Sequence, residues 1–163
     1  DLPGADHDMC KVRPSDMWGC SNAQIFSDVS PDMHWEFAIS HDMRWLERWG
    51  LTYYGCCEPL HNKIGILKRI KNLRKISVSP WCNSDRIINE AGDRYVLSRK
   101  PNPAIFAESV FSKERAEREL RDFLDRTGGK CHVEFIMKDI STVKYRPQDL
   151  WEWEKTAMKV VNS

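Results

Sequence analysis

The chain has 163 residues, 41% of them hydrophobic and 30% charged, with 25 Lys and Arg set against 24 Asp and Glu. That length suits a single domain with a real core, and the near-neutral balance gives no electrostatic case for nucleic acid or an anionic membrane surface. No apolar run approaches the ~20 residues that span a bilayer, and the opening DLPGADHDMCK has no basic stretch leading into an apolar one, so no signal peptide is visible.

The first residue is not methionine, which reads as a processed, trimmed or fragmentary chain. Six cysteines, at positions 10, 20, 56, 57, 82 and 131, are irregularly spaced and form no CxxC pair. They read as reduced thiols in a cytoplasmic protein, mostly buried as small hydrophobes. Residues 1–15 are polar and irregular, and 16–163 read as one domain.

Asp16 to Asn22 looks like a strand end opening into a loop. Ser30-Pro31-Asp32 is a helix start, with Ser30 as cap and Pro31 where a missing N–H costs nothing. Trp35, Phe37, Ile39, Met43, Leu46 and Trp49 recur at mixed helical spacings, predicting a helix of about five turns that stops at Gly50. Leu51–Cys57 is the first clear strand, and 61–70 a helix with Ile64, Leu67 and Ile70 on one face. A short strand over 74–79 ends at Pro80. A helix over 84–91 ends at Gly92, and a strand over 94–98 runs into the proline-stiffened loop RKPNP. A charged helix over 112–126 buries Ala116, Leu120, Phe123 and Leu124. A strand over 132–138 and a helix over 147–161 close the chain.

Strand and helix alternate throughout, which argues for a parallel sheet with right-handed crossovers. A closed (βα)8 barrel takes ~250 residues. The chain is therefore either an open doubly wound sheet or about the C-terminal half of a TIM-type barrel.

Four places carry polar groups at strand ends, where such folds put their chemistry. The stretch Gly55-Cys56-Cys57-Glu58 with His61 offers thiolate, carboxylate and imidazole, a donor set suited to zinc. Without a metal the same residues are packing cysteines and an exposed helix start. Arg99 and Lys100 suit a carboxylate or phosphate, or else a solvated basic turn. On the strand over 132–138 the polar residues alternate with Val133, Phe135 and Met137, which aims Lys138 toward an enclosed site or, on an edge strand, toward water. Asp139 follows it. Trp81 and Asn83 offer a wall and a hydrogen bond to a flat macrocycle.

The segments Asp16-Met-Trp-Gly19, Ile25-Phe26, Ser30-Pro31, Gly55-Cys56-Cys57, Tyr95-Val-Leu-Ser98 and Tyr145-Arg-Pro147, in this order, resemble the C-terminal half of the uroporphyrinogen decarboxylase superfamily. That superfamily includes the corrinoid-dependent methyltransferases. The resemblance covers about residues 16–161 and implies units 4/5 to 8 of a (βα)8 barrel. In the methyltransferase branch a His-x-Cys pair and a later Cys hold zinc. Here Gly55 stands in place of the His, and no Cys lies within 134–141, so Asp139 or Glu134 would have to be the third ligand.

The resemblance implies a methyltransferase-like enzyme moving a methyl group from a corrinoid, or a corrinoid protein, to a small thiol-type acceptor. Cys56, Cys57 and His61 would bind zinc, Glu58 and Asp139 would be catalytic, and Trp81 and Asn83 would face the corrinoid. Arg99, Lys100 and Lys138 would hold an anionic substrate tail. The alternatives are a decarboxylase-like lyase, in which cations stabilise carboxylate and carbanion charge, and a non-catalytic tetrapyrrole- or corrinoid-binding half-barrel. A half-barrel is expected to pair with a second copy or with its missing N-terminal half.

Overall fold

The computed structural model describes residues 11–163. Cys10 and most of the irregular N-terminal segment lie outside the described residues. The fold is α/β, built on one sheet of five strands: β1 (Trp18–Ser21), β2 (Leu51–Tyr54), β3 (Leu73–Val78), β4 (Val96–Arg99) and β5 (His132–Phe135). All neighbouring pairs are parallel, and the strands lie side by side in chain order. A doubly wound sheet reverses its strand order at a switch point. Among the described residues this sheet does not, so of the two architectures open from the sequence the arrangement is compatible with the barrel-like one.

The helices are α1 (Pro31–His34), α2 (Ser40–Leu46), α3 (Ile64–Leu67), α4 (Ser84–Ala91), α5 (Lys113–Thr127) and α6 (Gln148–Val161). Right-handed crossovers between adjacent parallel strands place every connecting helix on one face. Accordingly α3 packs on α4, α4 on α5 and α5 on α6. Helix ends follow local chemistry. Ser30, Asn83 and Ser112 each accept a backbone N–H of the first turn, and Gly128 ends α5 in the left-handed region at φ 54°. Asn83, not Ser84, caps α4.

The predicted five-turn helix is present but not uniform. A π-helical turn over Trp35–Ile39 separates α1 from α2. The inserted residue rotates the buried face, which accounts for the mixed spacing of the apolar positions. Ile39 and Leu46 are fully buried, while Phe37 faces solvent.

Parallel pairing holds side chains of one row on one face of the sheet. The row Tyr54, Ile76, Leu97 and Val133 and the row Val78, Arg99 and Phe135 lie beneath the helices. With Leu60, Ile64, Leu67, Ile87 and Phe123 they form the main core. Each such aliphatic side chain contributes roughly 1.5–3 kcal/mol by leaving water.

The opposite face carries Tyr53, Lys75, Ser77, Val96, Ser98, His132 and Glu134. Lys75 and Glu134 pair there at 2.7 Å, reaching across β4, and Lys75 lies 5.2 Å above the Trp18 ring. Among the described residues no helix is long and apolar enough to cross a membrane.

Under the π-helical turn, His34 is wholly buried, with Nε2 2.8 Å from the Tyr54 hydroxyl and its ring stacked on Phe26. Burial, then the nearby Lys63 charge, pushes its pKa down to about 4 from 6.5. Between those values the unfolded chain binds a proton the folded chain refuses. This contribution is fully present above pH 6.5 and is lost as pH falls toward 4, by up to about 3 kcal/mol. Urea melts from pH 7 to 4.5 should show a shallower acid loss for His34→Gln than for the parent.

Candidate active site at the C-terminal edge of the sheet

Chain reversal after β2 begins at Gly55, whose φ of +105° belongs to glycine. A Cβ there would lie 2.5 Å from Leu60 Cδ1 and 2.8 Å from Ser77 Cβ, so the turn is pressed against β3. The Cys56 carbonyl accepts the Ser77 hydroxyl, and the Cys56 N–H donates to Glu58 Oε2 at 2.8 Å. Glu58 itself is 2% exposed. Its Oε2 closes this loop, while Oε1 is buried without a hydrogen-bond partner.

The loop delivers two sulfurs 3.5 Å apart. The Cys57 thiol donates to Asp139 Oδ2 at 2.7 Å, a contact between residues 82 apart in sequence. Asp139 adopts a left-handed φ of 58°, a conformation aspartate tolerates better than most residues. Beyond β5, it sets the carboxylate beside Cys57. Lys138 Nζ donates to Cys56 Sγ at 2.9 Å and lies 3.4 Å from Asp139 Oδ2.

The titration behaviour follows from these contacts. Burial first, and then the Asp139 carboxylate, push the Cys57 thiol up to about 11. The Cys57 hydrogen bond holds Asp139 below the usual carboxylate range. At neutral pH the pair is therefore a protonated thiol and an ionised carboxylate. Burial alone would depress Lys138, but its hydrogen bonds and proximity to the two sulfurs together outweigh that and hold it above the lysine range.

Lys100 lies on the same face, one residue past β4, and is 3% exposed. Its Nζ reaches the Tyr53 hydroxyl at 2.8 Å, the Ser98 carbonyl at 3.1 Å and the Ser98 hydroxyl at 3.2 Å. Burial, then the Lys138 charge, bring its pKa down to about 8. Tyr53 and Ser98 are functional neighbours that the sequence reading overlooked. Period-two alternation from Cys57 back to Tyr53, and from Lys100 back to Ser98, was the signal available for both.

The expected pairing of Arg99 with Lys100 does not form. Successive strand residues face opposite ways, and Arg99 turns into the helix layer. There it donates to the Ser79 carbonyl at 2.8 Å, lies 3.5 Å from Glu119 and sits 5.2 Å above the Phe123 ring. Arg99 is a core cation, not a substrate contact.

His61 also stands apart from the sulfurs in its bonding: its Nδ1 accepts the Asn83 backbone N–H at 3.2 Å. The Asn83 side chain is spent as the α4 cap, leaving Trp81, 67% exposed, as the one expected macrocycle contact at the site. Among the described residues no group of three or more His, Cys, Asp and Glu is gathered as a metal ion requires. The nearest approach, Cys56, Cys57 and Asp139, has the Lys138 ammonium in contact with both a sulfur and the carboxylate. A cation already stands where zinc would be placed, so the set as arranged does not fit the metal.

These groups line a cavity of about 400 Å³ bounded by Cys57, Trp81, Lys100, Asn102, Lys138 and Asp139. A second hollow of about 300 Å³ lies against Tyr53, Cys56, Lys100 and Lys138. The two lysines thus stand between two spaces at the C-terminal edge of the sheet.

Comparison with models of known protein families, with curated proteins and with solved structures finds no match. Gly55→Ala should cost roughly 2–4 kcal/mol in urea melts, from backbone strain and overpacking together. It should also speed alkylation of Cys56 and Cys57 as the loop is lifted off Ser77.

Proposed function

We propose that this chain forms part of a (βα)8-barrel lyase that removes CO₂ from a small carboxylate substrate held over the C-terminal edge of the sheet. The five strands would be units 4/5 to 8 of a barrel of the uroporphyrinogen decarboxylase kind, closed by strands from further chain or a second copy. The observation carrying this reading is the placement of two lysines, Lys100 and Lys138, beside one small cavity with a protonated thiol and an ionised carboxylate. The Lys138 cation draws a carboxylate in, and the positive site stabilises the negative charge that builds as the carbon–carbon bond breaks. Cys57 keeps its proton at neutral pH and returns it to the carbanion, while Asp139 orients that thiol. Environments that push two neighbouring titratable groups apart are how acid and base roles are divided. A cavity of about 400 Å³ accommodates a small metabolite.

Lys138→Gln should weaken binding of malonate, followed by calorimetry, by about 10- to 100-fold, the scale of a lost charge-assisted contact. Arg99→Ala should leave malonate affinity as it was and lower stability instead. Equal malonate binding by the parent and Lys138→Gln overturns the reading.

A second reading, thiol-centred methyl transfer from a corrinoid, rests on the meeting of Cys57 with Asp139, where the resemblance seeks its third zinc ligand. Metal analysis separates the two. The lyase reading expects far less than one equivalent of zinc after dialysis against zinc salts. Methyl transfer expects close to one equivalent, lost in Cys57→Ser because a hydroxyl ligates zinc poorly.

A further inference from the structure

We propose that Lys100 is an imine-forming residue, and that the substrate class is a 3-oxo carboxylic acid whose keto carbon it captures. This rests on the lyase reading and names its substrate.

Three observations carry it. First, Lys100 is buried at the end of a central strand with its Nζ held by Tyr53 and Ser98. An ammonium has three hydrogens, and three acceptors already surround this one. Little donor capacity is left to bind a carboxylate, and loss of one proton frees a lone pair on an Nζ that Tyr53 and Ser98 still hold in place. Second, Lys100 shares the cavity wall with Lys138, Cys57 and Asp139. A 3-oxo acid whose carboxylate meets Lys138 has its keto carbon two bonds further along, in a cavity that Lys100 also lines. Third, a lysine beside a second cation in a desolvated pocket is the arrangement that leaves an amine nucleophilic near neutral pH. The groups facing it are Tyr53 of β2, Cys56 and Cys57 of the following loop, Glu134 of β5, and Lys138 and Asp139 beyond it.

The chemistry balances without an oxidant or reductant. The neutral Nζ attacks the keto carbon, forming a C–N bond and, after loss of water, a protonated imine. The bond between C1 and C2 then breaks, its electron pair moves into the C=N⁺ group, and CO₂ departs from an enamine. The Cys57 thiol protonates C2, and solvent restores the thiol. Water adds to the imine and releases the methyl or methylene ketone with free Lys100. One proton is consumed for each CO₂ released.

The test is reductive trapping. The full chain is incubated with acetoacetate and sodium borohydride, digested, and its peptides are weighed. We expect one reduced adduct, on Lys100, at least tenfold above any other lysine. Its yield at limiting time should rise about tenfold from pH 7 to pH 9, following a group that titrates near 8. Lys100→Arg should abolish the adduct. Trapping spread evenly over surface lysines, or centred on Lys138, overturns the proposal. No adduct with malonate binding intact overturns it and leaves the lyase reading standing, whereas loss of both removes the two together. Because the parent protein alone locates the adduct, a variant that fails to fold does not blunt the test.

Discussion

Two small, fully buried hydroxyls, Ser77 on β3 and Ser98 on β4, are paired neighbours in the middle of the sheet, and the site depends on them. Bulky residues at these positions would fill the space above the sheet centre. The serines leave room and supply polar anchors in a place water does not reach. Ser77 bonds the Cys56 carbonyl and draws the thiol loop down. Ser98 accepts the Lys100 ammonium through both its carbonyl and its hydroxyl. A buried charge without such partners would neutralise or pull out of the fold.

The same alternation that builds this seat divides Arg99 from Lys100. Neighbours in sequence, they serve opposite faces of one strand. Arg99 lies among the helices, where Glu119, the Ser79 carbonyl and the Phe123 ring compensate its desolvation. Removing any one partner leaves a buried charge poorly satisfied, which costs more than the pair contributes when intact. Arg99 therefore locks α5 onto β4, and so fixes where Lys100 emerges on the other side.

Much of the fold was legible in the sequence because its signals are local. Ser30-Pro31, Ser112 and the glycines after α4 and α5 mark helix ends through bonds spanning three or four residues. Apolar periodicity located the strands that form the sheet. Of the site, Cys56, Cys57, Lys100, Lys138 and Asp139 were named and do converge. Glu58, His61 and Asn83 were also named, but each bonds backbone within or next to its own loop instead of the cavity. Residue type and spacing do not distinguish a carboxylate that closes a turn from one that faces a substrate. That difference is set by the Gly55 reversal and by the strand register. Lys100 was read as a cation for an anionic substrate or as part of a solvated basic turn; its burial depends on Tyr53 of the neighbouring strand as well as on Ser98, and only the alternation with Ser98 is local.

The two lysines show how one electrostatic environment separates identical side chains. Lys138 lies beside two sulfurs and a carboxylate, so its positive charge is compensated and retained. Lys100 is buried, has only neutral oxygens within hydrogen-bonding distance and feels Lys138 as a like charge, so its proton is held weakly. Exchanging their roles would require moving Asp139, and Asp139 is placed by a left-handed turn at the end of β5. The division between an anchoring cation and a reactive amine thus follows from backbone geometry at one residue. Lys75 and Glu134 pair further down the same face. Glu134 nonetheless contributes to the field at Lys100, opposing the Lys138 charge.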